Sequence, residues 1–228
     1  MLVVFKPDSQ IKGLYWYRGR REKVPATKNL VPGFKSYDER IIKVKGVEYR
    51  IWNPYRSKPA AALMKGFKTF PIREGMTILY LGIASGTTAS HFSDIIGRRG
   101  LIYGVDVSAV EIKDLLKIAA VRGNIAPILA DASKPELYSS IVQEVDFVYC
   151  DIAQPNQTEI FLKNVELYLK ERGFAAIAIK ASSIDATAKP SAVFKGEKRK
   201  ISKLMSIVEE TNLDPYAKKH RLILSRLQ

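Results

Sequence analysis

The fold is decided by the stretch Thr77-Ile-Leu-Tyr-Leu-Gly-Ile-Ala-Ser-Gly-Thr-Thr88, in which an apolar run passes directly into a turn with two glycines. The apolar run at 77–81 predicts a buried β-strand. Gly82 and Gly86 permit a sharp turn into a helix and a close approach of the backbone to a ligand. This segment therefore predicts an α/β protein with a ligand site at the end of its first large strand.

Similar apolar runs recur downstream and alternate with helical patterns. Further strands are predicted at 101–105, 126–129, 145–150, 174–179 and 222–224. Helices are predicted at 58–68, 88–96, 109–122, 135–142, 157–171 and 191–212. Strands that are apolar along nearly their whole length indicate a mostly parallel sheet covered on both faces. We expect a doubly wound α/β fold, with its ligand site beyond the carboxyl ends of the strands.

The first 55 residues follow a different pattern. Arg40-Ile-Ile-Lys-Val-Lys45 and Gly46-Val-Glu-Tyr-Arg-Ile-Trp52 alternate as strands do, and Lys45-Gly46 suits a hairpin turn. Prolines at 25, 32 and 54 are expected to interrupt the chain between strands. We predict a small N-terminal β domain over 1–55 and a larger α/β domain over 56–228.

Composition limits the class of protein. The chain has 228 residues, of which 46% are hydrophobic and 26% charged, which is typical of a globular protein. It contains neither an unbroken apolar window of membrane-spanning length nor a signal-peptide layout at MLVVFKPDSQ, so we expect a cytoplasmic protein without a membrane partner. The single cysteine, Cys150, excludes an internal disulfide and a multi-cysteine zinc site, and we expect it to be buried.

The charge of the chain points to a polyanionic partner. Lys and Arg number 37 against 23 acidic residues, a formal net charge of +14. Basic residues mix with aromatic ones at 12–21 and form a dense run at 195–203. Such stretches suit neutralisation of a nucleic-acid backbone together with stacking on bases, although charge alone does not identify the partner.

Three of the predicted strands lead into an aspartate. Asp106 ends one strand, Asp131-Ala132 follows the next, and Asp151 follows the strand after that. A carboxylate at the first place can accept hydrogen bonds from ribose hydroxyls, and one at Asp131 can meet an adenine amino group. Taken singly, each acid has an equally good explanation as a helix cap or turn residue. Together they predict an adenosine site for NAD or S-adenosylmethionine, and the absence of a third glycine favours the latter.

Four stretches resemble the fibrillarin family. They are Tyr80-Leu-Gly-Ile-Ala-Ser-Gly-Thr-Thr-Ala-Ser-His91, Trp52-Asn-Pro-Tyr-Arg-Ser-Lys-Pro-Ala-Ala-Ala62, Asp151-Ile-Ala-Gln-Pro-Asn-Gln157 and Ile179-Lys-Ala-Ser-Ser-Ile-Asp185. The resemblance implies a Rossmann-like S-adenosylmethionine-dependent methyltransferase fold and 2′-O-methylation of ribose in rRNA and tRNA. Because no Gly/Arg-rich stretch precedes the first domain, we expect an archaeal-type member.

The resemblance also implies four catalytic residues, Lys58, Asp151, Lys180 and His220. A ribose hydroxyl is a poor nucleophile, so its proton must leave as the methyl group arrives. We expect Lys180 to accept that proton, which requires burial or a nearby cation such as Lys58 to lower the lysine pKa. Asp151 is expected to orient the lysines and touch the methionine part of the cofactor, and His220 to complete the hydrogen bonding of the hydroxyl.

The same resemblance implies a set of cofactor-binding residues and no metal. The set is Gly82, Ala84, Gly86, Thr87, Thr88, Asp106, Val107, Asp131, Ala132, Asp151, Ile152, Ala153 and Gln154. Asp106 departs from the family, in which the longer glutamate is frequent at this place, although either acid can reach the ribose. His91, in the predicted helix after the turn, is given no role.

Partners also follow from the resemblance. It implies a box C/D guide RNA, a Nop-type scaffold protein and a kink-turn-binding ribosomal-type protein, with rRNA or tRNA as substrate and no DNA. Two alternatives stay open: methylation of a protein side chain such as a glutamine amide, and a non-catalytic RNA-binding scaffold. An amino-group DNA methylase is disfavoured, since the fourth large strand leads into Asp151-Ile-Ala-Gln154 rather than an Asn/Asp-Pro-Pro-aromatic stretch.

Overall fold

The computed structural model describes residues 4–20 and 22–228. Residues 1–3 of the predicted N-terminal domain and Arg21 of the predicted basic stretch lie outside them. The strands are β1 (Val4–Pro7), β2 (Leu14–Arg18), β3 (Lys23–Lys28), β4 (Ile41–Val44), β5 (Val47–Ile51), β6 (Thr77–Leu81), β7 (Leu101–Asp106), β8 (Ile125–Leu129), β9 (Val145–Cys150), β10 (Leu169–Lys180), β11 (Met205–Asn212) and β12 (His220–Leu227). The α-helices are α1 (Lys58–Met64), α2 (Thr87–Ile96), α3 (Ala109–Arg122), α4 (Gln157–Tyr168), α5 (Ala181–Ile184) and α6 (Pro190–Ile201). None of the described helices combines the length and the apolar character needed to cross a membrane.

The larger sheet has seven strands in the order β11-β12-β10-β9-β6-β7-β8. Strands β6 to β10 pair in parallel, whereas β12 runs antiparallel between β10 and β11. The strand order reverses between β6 and β9, which is where ligands bind in doubly wound sheets. The predicted mostly parallel α/β fold is confirmed.

Residues of this sheet are buried on both of its faces. In β6, Ile78 and Tyr80 belong to one core cluster, and Leu79 and Leu81 belong to another. Alternate residues of a strand point to opposite faces, so the two clusters are the two layers between sheet and helices. This explains why the strands read as continuous apolar runs in the sequence. Cys150, at the end of β9, is buried as expected, and burial raises the pKa of its thiol to about 12.

The last predicted helix is wrong in its second half. Helix α6 ends at Ile201, and residues 205–212 form the edge strand β11 paired with β12. The β-branched residues Ile207, Val208 and Thr211 favour a strand, and pairing with β12 outweighs the helical preference of the neighbouring glutamates. Three predicted helices also end early: the one after Lys58 at Met64, the one after Gln157 at Tyr168, and the one after Pro135 as a single 3-10 turn, Pro135–Tyr138.

The N-terminal strands form a separate antiparallel sheet in the order β1-β2-β3-β5-β4. The predicted hairpin joins β4 to β5, with Lys45 at φ +49° and Gly46 at φ +81°, the positive angles that a tight hairpin turn needs. The interpretation of Pro25 as an interruption is wrong, because it lies within β3 opposite Trp16. The place of the boundary between the two predicted domains stays a prediction.

A buried ionic cluster joins the N-terminal sheet to α2. The Arg50 guanidinium in β5 donates to the Glu39 carboxylate at 2.7 Å and to the Asp94 carboxylate at 2.7 Å, and all three side chains are fully buried. His91 lies beside this cluster. Its Nε2 is 2.7 Å from the Tyr37 hydroxyl, and burial holds its pKa well below the usual range. His91 is therefore a packed structural residue, consistent with its having been given no catalytic role.

Candidate active site and cofactor cavity

Gly82 lets the turn after β6 pass against the end of β9. Its φ is +75°, and a Cβ at this place would lie 2.8 Å from the carbonyl oxygen of Asp151 and 2.8 Å from Ile152 Cγ2. Any side chain would therefore push the turn away from the Asp151 backbone. The glycine that marks the turn in the sequence is required for this close approach.

Asp106 holds the same turn from the opposite side. Its Oδ2 accepts a hydrogen bond from the Ala84 amide at 2.8 Å, and its Oδ1 accepts one from the Ser108 amide at 2.9 Å. Ala84 has a positive φ of +49°, so the carboxylate stabilises an uncommon backbone conformation. An ionised carboxylate offers about four acceptor positions, and those left over are available to hydroxyl groups of a ligand.

A cavity of about 260 Å³ opens at the carboxyl ends of β6, β7, β8 and β9, and we call it the strand-end cavity. Its lining comprises Gly82, Ala84, Val105, Asp106, Val107, Ala130, Asp131, Ala132, Asp151, Ile152, Ala153 and Gln154. Ten of the predicted cofactor-binding residues are in this lining. Val105 and Ala130 were missed, although each adjoins one of the aspartates in the sequence and that adjacency was the available signal.

Three predicted cofactor residues do not line the strand-end cavity. Gly86, at φ +90°, precedes the first residue of α2, and a Cβ there would lie 2.6 Å from Leu115. The Thr88 side chain is buried, with its hydroxyl 2.9 Å from the hydroxyl of Ser57. Gly86 and Thr88 therefore have packing roles here, while Thr87, also away from the cavity, is the first residue of α2.

The strand-end cavity has the chemistry that an adenosyl group with a sulfonium requires. Asp106 and Asp131 supply carboxylates, and the hydrogen bond from the backbone amide of Ser133 lowers the pKa of Asp131. The remaining wall is largely small and apolar, which suits a purine ring. Asp151 adds a carboxylate at the boundary with the lysines. The residues present fit S-adenosylmethionine.

Lys58 and Asp151 form an ion pair at the edge of the strand-end cavity. Lys58 Nζ lies 2.9 Å from Asp151 Oδ1, with the side chains 31% and 15% exposed. Lys58 is the first residue of α1, and Pro59 favours a helix start there. Burial raises the pKa of Asp151, and the Lys58 ammonium opposes that rise. The pair joins α1 to the cavity wall.

Lys180 and His220 lie opposite each other on the antiparallel strands β10 and β12. Directly opposite residues have neighbouring side chains on the same face of a sheet. Burial lowers the pKa of His220; the hydrogen bond to Lys218 opposes this, and the positive charges of Lys58 and Lys180 add to the lowering. The predicted cation-rich group thus meets around His220. Among the described residues, the ion pair of Asp151 includes Lys58 but not Lys180.

The tautomer of His220 follows from its hydrogen bond. His220 Nδ1 lies 2.7 Å from the backbone carbonyl of Lys218, and since a carbonyl only accepts, Nδ1 carries the proton. With the ring neutral, Nε2 has a free lone pair. His220 is therefore an acceptor at Nε2, a property that the sequence alone did not reveal.

The basic stretches at 12–21 and 195–203 differ in how far their side chains are available to an anionic partner. In α6, Lys198 pairs with Glu210 at 2.8 Å and Lys200 with Glu159 and Glu197 at 2.8 Å, so part of this run is already neutralised. In the first stretch, the rings of Tyr15 and Trp16 are partly buried in β2. The run at 195–203 is consequently a weaker anion-binding surface than its composition indicates.

Comparison with known proteins agrees with this geometry. The family model described as fibrillarin matches residues 5–228. The chain is 52% identical, over 205 residues and 90% of each chain, to a Pyrococcus furiosus protein named fibrillarin-like rRNA/tRNA 2′-O-methyltransferase.

Two solved structures share the whole fold. One is Aeropyrum pernix fibrillarin in complex with natively bound S-adenosyl-L-methionine, with a TM-score of 0.91, 47% identity and 98% of each chain covered. The other is a fibrillarin/Nop5p complex, with a TM-score of 0.86, 41% identity, and 95% of this chain and 98% of that chain covered.

Proposed function

The chain belongs to the fibrillarin family, and on that premise we propose that it transfers a methyl group from S-adenosylmethionine to ribose 2′-hydroxyls of rRNA and tRNA. The relatives at about half identity carry that activity in their names, and one relative of known structure binds the same methyl donor. The match covers 90% of the length of the two Pyrococcus relatives and 90% of this chain.

The observation that carries the proposal is the double position of Asp151. Its carboxyl group lines the strand-end cavity and also pairs with Lys58 at 2.9 Å. Lys58 in turn lies close enough to His220, the strand partner of Lys180, to lower its pKa. A methyl donor in the cavity and a hydroxyl among the lysines would therefore meet at Asp151.

The chemistry is divided between the cofactor and the chain. When bound, S-adenosylmethionine supplies an electrophilic methyl group on a sulfonium. We assign to Lys180 the acceptance of the hydroxyl proton. His220, the strand partner of Lys180, offers the free lone pair of its Nε2 as an acceptor beside that lysine. Asp151 holds Lys58 in place, and the Lys58 charge disfavours protonation of the groups around it.

The proposed assembly includes further partners. A Nop-type scaffold protein is proposed because a relative forms a complex with Nop5p. A box C/D guide RNA and a kink-turn-binding ribosomal-type protein follow from family membership, and the net charge of +14 is compatible with RNA partners. In this assembly the guide RNA selects the nucleotide, and the chain supplies the methyl-transfer site.

The direct test is methyl transfer from radiolabelled S-adenosylmethionine to an rRNA fragment, with and without the assembled guide particle. We expect label in RNA only with the particle, at the nucleotide that the guide specifies and on the 2′-oxygen. Ribonuclease should release the label and protease should not. Label that resists ribonuclease but is released by protease would assign the chain to protein methylation, and no label under either condition would contradict the enzyme proposal.

A further inference from the structure

Ser57 directly precedes α1, but its hydroxyl does not cap that helix. The Ser57 carbonyl accepts the first helical hydrogen bond, from the Ala61 amide at 2.9 Å. A serine at this position commonly also accepts, through its side chain, a hydrogen bond from an amide of the first turn. Within the described residues 22–228, the Ser57 side chain makes no such bond, and it is buried. Its hydroxyl is therefore used elsewhere in the structure.

Two buried groups donate hydrogen bonds to Ser57 Oγ from different parts of the chain. The Trp52 indole nitrogen, which can only donate, lies 2.8 Å away, and the Thr88 hydroxyl lies 2.9 Å away. Trp52 directly follows β5 of the N-terminal sheet, and Thr88 belongs to the first turn of α2, the helix after the turn at 82–86. Ser57 therefore connects both of these segments to the start of α1.

Trp52 and Thr88 are themselves held firmly. The Trp52 side chain is fully buried and its ring stacks on that of His91, with centroids 4.9 Å apart and planes inclined by 14°. The Trp52 amide donates to the Pro25 carbonyl at 2.8 Å, which ties it to β3. Thr88 is buried in the same helix as His91. The oxygen of Ser57 is thus bound between two fixed donors.

Helix α1 presents Lys58 to the active site while most of the helix packs in the core. The five residues after Lys58 are buried. The Lys58 side chain is 31% exposed, and its Nζ lies 2.9 Å from Asp151 Oδ1. A lysine ammonium is a point charge on a flexible four-carbon stem, so the atoms that it reaches depend on where the backbone places it. Since Lys58 directly follows Ser57, a fixed Ser57 limits where the ammonium can lie.

The ionisation of Asp151 depends on the place of that ammonium. Burial raises the pKa of Asp151, and the Lys58 charge opposes the rise. Tyr80 and Tyr149 are buried close by: burial raises the pKa of both hydroxyls, and the Asp151 charge adds to the rise. Among the described residues the Tyr149 hydroxyl has no hydrogen-bond partner, so it does not donate to the carboxylate. The placement of Lys58 therefore controls how readily Asp151 ionises.

We propose that Ser57 is a positioning residue of the active site: its hydroxyl, held by Trp52 and Thr88, fixes the start of α1 and with it the contact between Lys58 and Asp151. Through Ser57 the N-terminal sheet acts on the active site, although the lining of the strand-end cavity comes from the larger domain. The helix after the turn at 82–86 acts on Lys58 through the same hydroxyl. The effect on methyl transfer rests on the proposed function, whereas the effect on Asp151 does not.

The first test measures the pKa of Asp151 by NMR titration of the full chain labelled with ¹³C at its aspartate carboxyl groups. Loss of the signal in Asp151→Asn assigns it. Ser57→Ala and Thr88→Val each remove one hydroxyl of the contact with little change in shape. We expect both to raise the pKa of Asp151, because a less firmly placed Lys58 stabilises the carboxylate less. Thr88→Ser keeps the hydroxyl and should keep the wild-type pKa.

Ser93→Ala is the matched control for the loss of a buried hydroxyl. Ser93 lies in α2, where its hydroxyl donates to the Asn124 side chain at 2.6 Å and accepts from Arg122 Nε at 2.8 Å. Ser93→Ala should lower the melting temperature, as Ser57→Ala should, but leave the pKa of Asp151 unchanged. A purely structural role of Ser57 would make the two variants behave alike.

The second test is single-turnover methylation in the assembled guide particle, at saturating RNA and S-adenosylmethionine. We expect Ser57→Ala and Thr88→Val to slow the reaction about tenfold or more, since a misplacement of about 1 Å can cost about 10²-fold in rate. The affinity for S-adenosylmethionine and the RNA concentration at half-maximal rate should keep their wild-type values. Ser93→Ala should keep the wild-type rate.

Two outcomes of the titration would overturn the inference. One is a wild-type pKa of Asp151 in both Ser57→Ala and Thr88→Val, and the other is a rise of the same size in Ser93→Ala. Weaker S-adenosylmethionine binding by Thr88→Val, with the pKa of Asp151 unchanged, would also contradict it, because it would assign Thr88 to the cofactor and not to Ser57. If the wild-type particle methylates no RNA, the proposed function fails, and the titration still decides the role of Ser57.

Discussion

The ion pair between Lys58 and Asp151 gives the sharpest test of the catalytic geometry. Lys58→Met keeps much of the volume of the side chain and removes its charge, which leaves the Asp151 carboxylate without its partner at 2.9 Å. Asp151 is only 15% exposed, and burial already raises its pKa. We therefore expect its pKa to rise further in the variant.

The magnitude follows from the distance and the exposure of the pair. Removing one partner of a buried ion pair costs roughly 3–5 kcal/mol, because it leaves an uncompensated buried charge. Lys58 is 31% exposed, so water screens part of the interaction and favours the lower half of that range. We therefore expect Lys58→Met to lower the free energy of unfolding at neutral pH by about 3 kcal/mol.

The pH dependence has a definite sign. Because the folded state holds the Asp151 proton more tightly than the unfolded chain does, the carboxyl group makes the free energy of unfolding fall as pH rises above about 4. Because Lys58→Met raises the pKa of Asp151, the free energy of unfolding of the variant continues to fall to a higher pH than that of the wild type. The difference in unfolding free energy between wild type and variant should be small near pH 4, grow through the raised pKa and reach its full value by neutral pH.

Urea denaturation between pH 4 and pH 8 measures this difference. Lys58→Arg should behave as wild type because it keeps the charge. Lys117→Met is the matched control, since Lys117 pairs with Asp114 at 2.6 Å on an open surface, with side chains 70% and 53% exposed, and such pairs contribute little. A stability loss in Lys58→Met that does not change with pH would refute the reasoning, because it would trace the loss to packing and not to Asp151.

Three other substitutions test separate parts of the structure. Gly82→Ala puts a Cβ 2.8 Å from the carbonyl oxygen of Asp151. We expect this substitution to lower the free energy of unfolding by about 1–3 kcal/mol and to weaken S-adenosylmethionine binding. An unchanged melting temperature and an unchanged affinity would contradict the close approach of the two segments. Lys180→Ala should slow methyl transfer by about 10²- to 10⁴-fold in single-turnover assays. Calorimetry should show that the affinity for S-adenosylmethionine is retained, and substantial remaining activity would rule out Lys180 as the proton acceptor. Arg50→Met leaves the buried carboxylates of Glu39 and Asp94 without this partner and should cost about 3–5 kcal/mol in urea denaturation; a loss below about 1 kcal/mol would mean that the cluster does not stabilise the junction.

Local chemistry made the centre of the fold predictable. The run from Thr77 to Leu81 is a strand as predicted, because an unbroken apolar stretch of that length fits a sheet covered on both faces. Gly82 and the three aspartates were equally visible in the sequence, because each of them lies at or just after the end of a predicted strand. The wall of the strand-end cavity is made largely of these local features, so the sequence predicted most of it.

Features that depend on distant contacts were not predictable. Residues 205–212 contain helix-favouring glutamates, and only their pairing with β12 makes them a strand. Thr88 belongs to the stretch that the sequence associates with the cofactor, yet it lies in the first turn of α2 and its hydroxyl contacts that of Ser57, the residue before α1. The contact between Tyr55 and Tyr216 was not visible either, because only the tertiary fold brings these two residues together.

Asp106 shows why the structural and the ligand-binding explanations of a strand-end acid need not compete. Its carboxylate holds the amides of Ala84 and Ser108, which is the turn-stabilising role, and its remaining acceptor positions lie on the wall of the strand-end cavity. The Ala84 conformation at φ +49° depends on that contact, and the turn containing Ala84 forms another part of the same wall. One carboxylate thus shapes the cavity and offers acceptors to what the cavity binds. The short side chain of an aspartate suits this double use, because it keeps the carboxylate close to the backbone of the turn.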